Sequence, residues 1–122
     1  MSKKLLEESV GKELLAQGLT IACAESCTGG LLTSRLTDIA GSSAYVMGSV
    51  VSYTNRIKES LVGVRHETLP SHGAVSEETA RGRAEGIARA MGTDIGVGIT
   101  GIAGPGGGTK QKPVGLVFIA VS

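Results

Sequence analysis

The sequence predicts an α/β layered domain with a largely parallel sheet, and three observations carry that prediction. Short apolar stretches at Leu19–Ala24, Tyr45–Tyr53, Ile95–Ile99 and Val114–Val121 read as strands. Segments with apolar residues at helical spacing alternate with them. The last stretch is nearly continuous in apolar residues, which suits a strand buried on both faces.

The first helix is expected over Ser2–Gln17, with Leu5, Leu6, Val10, Leu14 and Leu15 as one apolar stripe and Gly18 as its stop. The strand that follows runs into Ala24-Glu25-Ser26-Cys27-Thr28-Gly29-Gly30, around which the rest of the chain is organised. Leu31, Leu32, Leu36 and Ile39 then mark a second helix. A strand turning through Ser, Thr and two glycines into a helix leaves N–H groups unpaired at the helix start. They suit a phosphate or a developing oxyanion. A plain cap by Ser26 or Thr28, with glycines for the turn, explains the same pattern. Both readings stay open at this stage. Glu25 is expected to brace the turn.

Gly41-Ser42-Ser43 breaks the second helix, and the Val-rich stretch from Tyr45 follows. Asn55 can cap a short helix over Arg56–Val62, and a polar connector holds His66, Pro70 and His72. Ser76-Glu77-Glu78-Thr79 opens the next helix, with Ser76 as cap and Ala80, Ala84, Ile87, Ala88 and Met91 on its buried side. Small alanines there call for close packing on a sheet. The strand at Ile95–Ile99 leads into a loop, Thr100-Gly101-Ile102-Ala103-Gly104-Pro105-Gly106-Gly107-Gly108.

Composition narrows the function classes. A length of 122 residues suits one domain, taken as 1–122, and the strand at the chain's end suggests a domain lacking its C-terminal elements. Hydrophobic residues make up 41% and aromatics only 2%, so the core rests on Val, Ile, Leu and Ala. A net charge of +1 and the scarcity of aromatics give no footprint for nucleic acid or an acidic membrane. The charged N-terminus does not read as a secretory signal, and no apolar run reaches the roughly 20 residues of a membrane span. Cys23 and Cys27 do not form a disulfide framework, which points to the cytoplasm.

Several motifs fail on context. Gly96-Val97-Gly98-Ile99-Thr100-Gly101 fits G-x-G-x-x-G, but its first glycines fall inside a strand and no helix follows. Lys110 is not placed as a P-loop requires, and Cys23, Cys27, His66 and His72 have no zinc spacing. No metal or cofactor is expected. What remains is a hydrolytic set without a histidine base: Ser26 and Ser43 at turns, Tyr53 and Lys58 at or beyond the end of the second strand. A lysine with a lowered pKa can activate a serine. On these residues alone, a solvated helix lysine at Lys58 and a half-buried Tyr53 at a strand end are the default reading.

Taken together, AESCTGG, DIAGSSAY, SYTNRIK, HGAVSEE and TGIAGPGGGTKQKPVG closely resemble the CinA C-terminal domain family. That family includes competence/damage-inducible protein A and bacterial nicotinamide-nucleotide amidases. The resemblance runs from about Leu5 onward, with five motifs in order. It implies a three-layer α/β/α sandwich with a mixed sheet. It also implies hydrolysis of nicotinamide mononucleotide to nicotinate mononucleotide and ammonia, in pyridine-nucleotide salvage. The family's functional residues fall on Ser26, Ser43, Tyr53 and Lys58; a further family arginine lies beyond Ser122.

Under that reading a serine attacks the carboxamide and Lys58 takes its proton. Ser43 is favoured over Ser26, because it leaves the Ser26 turn for anion binding. Tyr53 positions the lysine or relays a proton. Thr28, Gly29 and Gly30, with Thr100, Gly101, Gly104, Gly106 and Gly107, are the expected substrate-binding set, assisted by Lys110 or Lys112. The expected partner is the small-molecule substrate, with no nucleic acid or membrane, and a homo-oligomer is consistent with the small-residue surface. The alternatives are a non-catalytic nucleotide-binding or assembly module, such as the family fuses to a molybdopterin-binding-like domain, and an amidase for another carboxamide.

Overall fold

The computed structural model describes residues 5–26, 28–51, 76–101 and 115–122. Helix α1 spans Leu6–Gln17 and ends at Gly18, whose left-handed backbone returns its N–H to Leu14 and Leu15. Its buried face is narrower than the five-residue stripe expected. Leu14 and Gly11 are buried and Val10 is half-buried, whereas Leu5, Leu6 and Leu15 are exposed. The helix seats at Gly11, where any Cβ would strike the hydroxyl of the buried Tyr45.

Strand β1 (Ile21–Glu25) is buried along its whole length. Helix α2 (Leu31–Thr37) follows, then a 3-10 turn at Ser42–Ala44 entered through Gly41 at φ 84. Strand β2 is Val46–Val51, shorter at its start than expected, because Tyr45 ends the 3-10 turn and fills the core. Helix α3 (Glu77–Met91) is capped as foreseen: the Ser76 hydroxyl oxygen accepts from the Thr79 N–H at 3.1 Å. Strand β3 is Ile95–Gly101 and β4 is Val117–Val121. Thr100 and Gly101, expected in a loop, extend β3 by pairing with Phe118 and Val117.

These strands form one mixed sheet in the order β2-β1-β3-β4. Strand β1 runs parallel to both β2 and β3, and β4 is antiparallel to β3. Alternate residues of the central strands face opposite layers. Ile21, Cys23, Val97 and Ile99 pack with Leu14, Leu36 and Tyr45, under α1 and α2. Ala22 and Ala24 pack with Ile87 of α3 on the other face. The result is a three-layer α/β/α sandwich.

Close approach on the α3 side depends on absent side chains. A Cβ on Gly96 would fall on the Ala84 carbonyl, and one on Gly98 on the Ala80 carbonyl. The glycines that mimic a dinucleotide motif therefore serve helix–sheet contact. The buried face of α3 is Thr79, Ala80, Arg83, Ala84, Gly86 and Ile87, while Met91 is exposed.

The last strand departs from expectation. Among the described residues β4 is an edge, with Val117, Ile119 and Val121 exposed. They share a face with Val97 and Ile99, because directly paired residues point the same way. Beside them an apolar groove of about 570 Å³ opens between that face and Leu14, Leu31 and Leu32. No helix among the described residues is long and apolar enough to cross a membrane.

Candidate functional site

Strand β1 sends the chain to β2 on one side, while β3 lies on its other side. The carboxyl ends of β1 and β3 thus meet at a topological switch point, where parallel α/β sheets form their binding crevice. The residues there are Ser26, directly after β1, and Thr100 with Gly101, the end of β3. Ser26 is 5% and Thr100 1% exposed, so neither hydroxyl is a generic surface group. The Ser26 hydroxyl donates to the Ile99 carbonyl at 3.2 Å, tying one strand end to the other.

Glu25 organises the turn after β1. One carboxylate oxygen accepts from the Thr28 hydroxyl at 2.7 Å and the Leu32 N–H at 3.1 Å. The other accepts from the Thr33 N–H at 2.9 Å and the Thr33 hydroxyl. Burial pulls this carboxyl upward, but the hydrogen bonds from Thr33, Thr28 and Leu32 outweigh it, and the net shift is downward. The brace assigned to Glu25 is therefore physical: its carboxylate occupies the start of α2.

That arrangement corrects both readings of the helix start. The N-cap is Gly30 at φ 98, with no cap from its own side chain, so neither Ser26 nor Thr28 is the cap. The N–H groups of Leu32 and Thr33, free in the sequence reading, are taken by Glu25. The Gly29 N–H donates to the Ser26 carbonyl, and the Leu31 N–H to the Thr28 carbonyl. The anion attracted to this helix start is the protein's own.

Beneath the crevice lies Arg83, 0% exposed, which reaches in from α3. One guanidinium nitrogen donates to the Ile99 carbonyl at 2.7 Å and the other to the Glu25 carbonyl at 2.6 Å. Sequence reasoning missed it, although the signal was present. Ala80, Arg83, Ala84 and Ile87 follow the i, i+3, i+4, i+7 pattern of a buried helix face.

Cys23 is a core residue, as expected, and burial pushes its thiol up to about 11, against a hydrogen bond with Thr33 and with the charge of Glu25 adding to the rise.

Ser43 lies elsewhere. It is exposed in the 3-10 turn that precedes β2, and β2 runs parallel to β1. It stands at the amino ends of the strands, a strand length of roughly 17 Å from the crevice. Ser26, Thr28, Gly29, Gly30, Thr100 and Gly101 are gathered at the carboxyl ends; Ser43 is not among them. Tyr53, Lys58, Gly104, Gly106, Gly107, Lys110 and Lys112 lie outside the described residues. Among the described residues, no three His, Cys, Asp or Glu side chains converge as metal ligands do.

The three layers and the mixed, mostly parallel sheet define the chain as an α/β domain with a switch point between β1 and β3. Comparison with known proteins gives the family: residues 3–122 match the CinA C-terminal domain, and the chain belongs to that family. A CinA-like protein of Chloroherpeton thalassium is 57% identical over 117 residues, which are 96% of this chain and 28% of that protein. A CinA-like protein of Syntrophus aciditrophicus is 56% identical over 117 residues, with the same coverage of 96% and 28%. The chain thus spans little more than a quarter of the curated relatives it matches.

Among solved structures, the competence/damage inducible protein CihA of Agrobacterium tumefaciens superposes with a TM-score of 0.93 at 45% identity. That match covers 100% of this chain and 77% of the other. The competence damage-inducible protein A of Klebsiella pneumoniae gives a TM-score of 0.90 at 38% identity, covering 96% and 73%.

Proposed function

We propose that this domain is an amidohydrolase that converts nicotinamide mononucleotide to nicotinate mononucleotide and ammonia. The observation that carries the reading is the meeting of the carboxyl ends of β1 and β3, where the buried Ser26 hydroxyl is tied to the Ile99 carbonyl, next to the buried Thr100. Family membership supports the chemistry, through Ser26, Ser43, Tyr53 and Lys58.

A serine oxygen attacks the carboxamide carbon, and Lys58 takes the hydroxyl proton. Hydrogen-bond donors at the crevice stabilise the oxyanion, each worth roughly 3–4 kcal/mol in comparable sites. The carbon–nitrogen bond then breaks, and the proton held by Lys58 passes to the leaving ammonia. Water hydrolyses the acyl-enzyme. Since the donors at the start of α2 serve Glu25, the substrate phosphate is assigned to the glycines and lysines that follow β3 in the sequence, Gly104, Gly106 and Gly107 with Lys110 or Lys112.

The separation of the two serines bears on the nucleophile. If Ser43 attacks while Ser26 borders the same substrate, Ser43 comes from a second copy of the chain. Ser26 then acts from within the crevice as a donor.

The test is ammonia release from nicotinamide mononucleotide, with nicotinamide riboside as comparison. Release from the nucleotide alone is expected. Equal release from both removes the phosphate site, and release from neither removes nicotinamide mononucleotide as the substrate. A non-catalytic nucleotide-binding module, supported by binding without turnover, and an amidase for another carboxamide are then the remaining readings.

A further inference from the structure

The one fully buried arginine among the described residues touches the backbone at the point where the crevice is built. Its two terminal nitrogens hold the carbonyls of Glu25 and Ile99, the residues directly before Ser26 and Thr100. A guanidinium is a rigid planar fork, so gripping both oxygens fixes the separation of the two strand ends. We propose that Arg83 is a positioning residue, which sets the geometry of the crevice and governs the Ser26 hydroxyl through the carbonyl that both side chains share. The inference rests on the proposed reading of the crevice as the reactive site.

Three observations support it. First, the Ile99 carbonyl accepts twice, from Arg83 at 2.7 Å and from Ser26 at 3.2 Å. Charge-assisted bonds are shorter and stronger than neutral ones, so Arg83 dominates that oxygen. The Ser26 hydroxyl is left aimed but weakly held, able to leave Ile99 for a substrate oxygen. Second, the site is shaped for this side chain. A Cβ on Gly98 would lie 3.0 Å from the Arg83 Cβ and closer still to the α3 backbone, so glycine there lets this turn of α3 reach the strands. Third, Arg83 is 0% exposed, so water does not compete for its hydrogen bonds to the two carbonyls.

The test compares Arg83→Met, similar in length but uncharged, with Arg83→Lys, which keeps the charge without the planar fork. The first readout needs no turnover. In the folded Met variant the carbonyl carbon resonances of Glu25 and Ile99 and the Ser26 side-chain resonances are expected to shift, while those of Leu14 and Leu36 stay in place. The second readout is kinetic. A displaced catalytic group costs up to about a hundredfold in rate, so kcat is expected to fall by that order with KM little changed, and Lys is expected to recover part of it.

Unmoved resonances at Glu25, Ile99 and Ser26, or a folded Met variant with wild-type kcat, would overturn the proposal. If the Met variant does not fold, the Lys variant decides by the same readouts. If the wild-type protein does not hydrolyse nicotinamide mononucleotide, the substrate assignment fails on its own, and the resonances still decide the role of Arg83.

Discussion

At the scale of single residues, Glu25 settles what the turn after β1 is for. A buried carboxylate accepting four hydrogen bonds holds the first turn of α2 against the end of β1. Its lowered pKa fixes the sign of a pH effect. The unfolded chain binds the proton more readily than the folded one, so the contribution is complete above the ordinary value of 4.5 and lost as pH falls through the lower folded value. Glu25→Gln keeps the shape and removes the charge. It is expected to cost about 1–3 kcal/mol at neutral pH, because donors lose their acceptor. Urea denaturation of both proteins at several pH values checks this: the gap between them should close in acid. A gap independent of pH would mean that the carboxylate charge contributes nothing.

At the scale of elements, the contact between α3 and β3 is made by atoms that are missing. Gly98→Ala puts a methyl group against the Ala80 carbonyl and the Ala84 nitrogen, both in the backbone of α3, which has no side-chain freedom to give way. The helix must shift, at an expected cost of about 1–3 kcal/mol, readable as a lower urea midpoint. The same shift displaces Arg83, so turnover should fall beyond what the loss of folded protein explains. Strands also show where periodicity stops being informative. Ile99 is 3% exposed and its cross-strand neighbour Ile119 is 66% exposed, though both are isoleucines in apolar runs on one face of one sheet. Helix cover makes that difference, and helix cover is a tertiary property.

At the scale of the whole molecule, the sheet separates Ser26 from Ser43 by its own length. The proposed function then makes a prediction about assembly. Ser26→Ala and Ser43→Ala are each expected to lose most ammonia release, and mixing the two inactive proteins after unfolding and refolding together should restore part of it. One copy supplies the intact crevice and the other the intact Ser43. Failure to restore, with both variants folded, would place the whole reaction within one chain and return the nucleophile to Ser26.

The sequence by itself determined the alternation of strands and helices, the Ser76 cap, the core place of Cys23 and the family motifs. Those are local or ordered along the chain: a cap needs three neighbouring residues, and a strand or helix shows its own period. It also marked Glu25 as a brace, because a carboxylate next to a Ser/Thr/Gly turn has N–H groups within reach. Only the tertiary structure decided that Glu25 takes the donors offered to a phosphate, that Arg83 joins the two strand ends, and that Ser43 stands at the far end of the sheet. Each of these depends on parallel pairing between segments distant in the chain. Parallel strands bring their carboxyl ends together and carry what precedes them to the opposite edge, and spacing along the chain does not record which edge a turn will occupy.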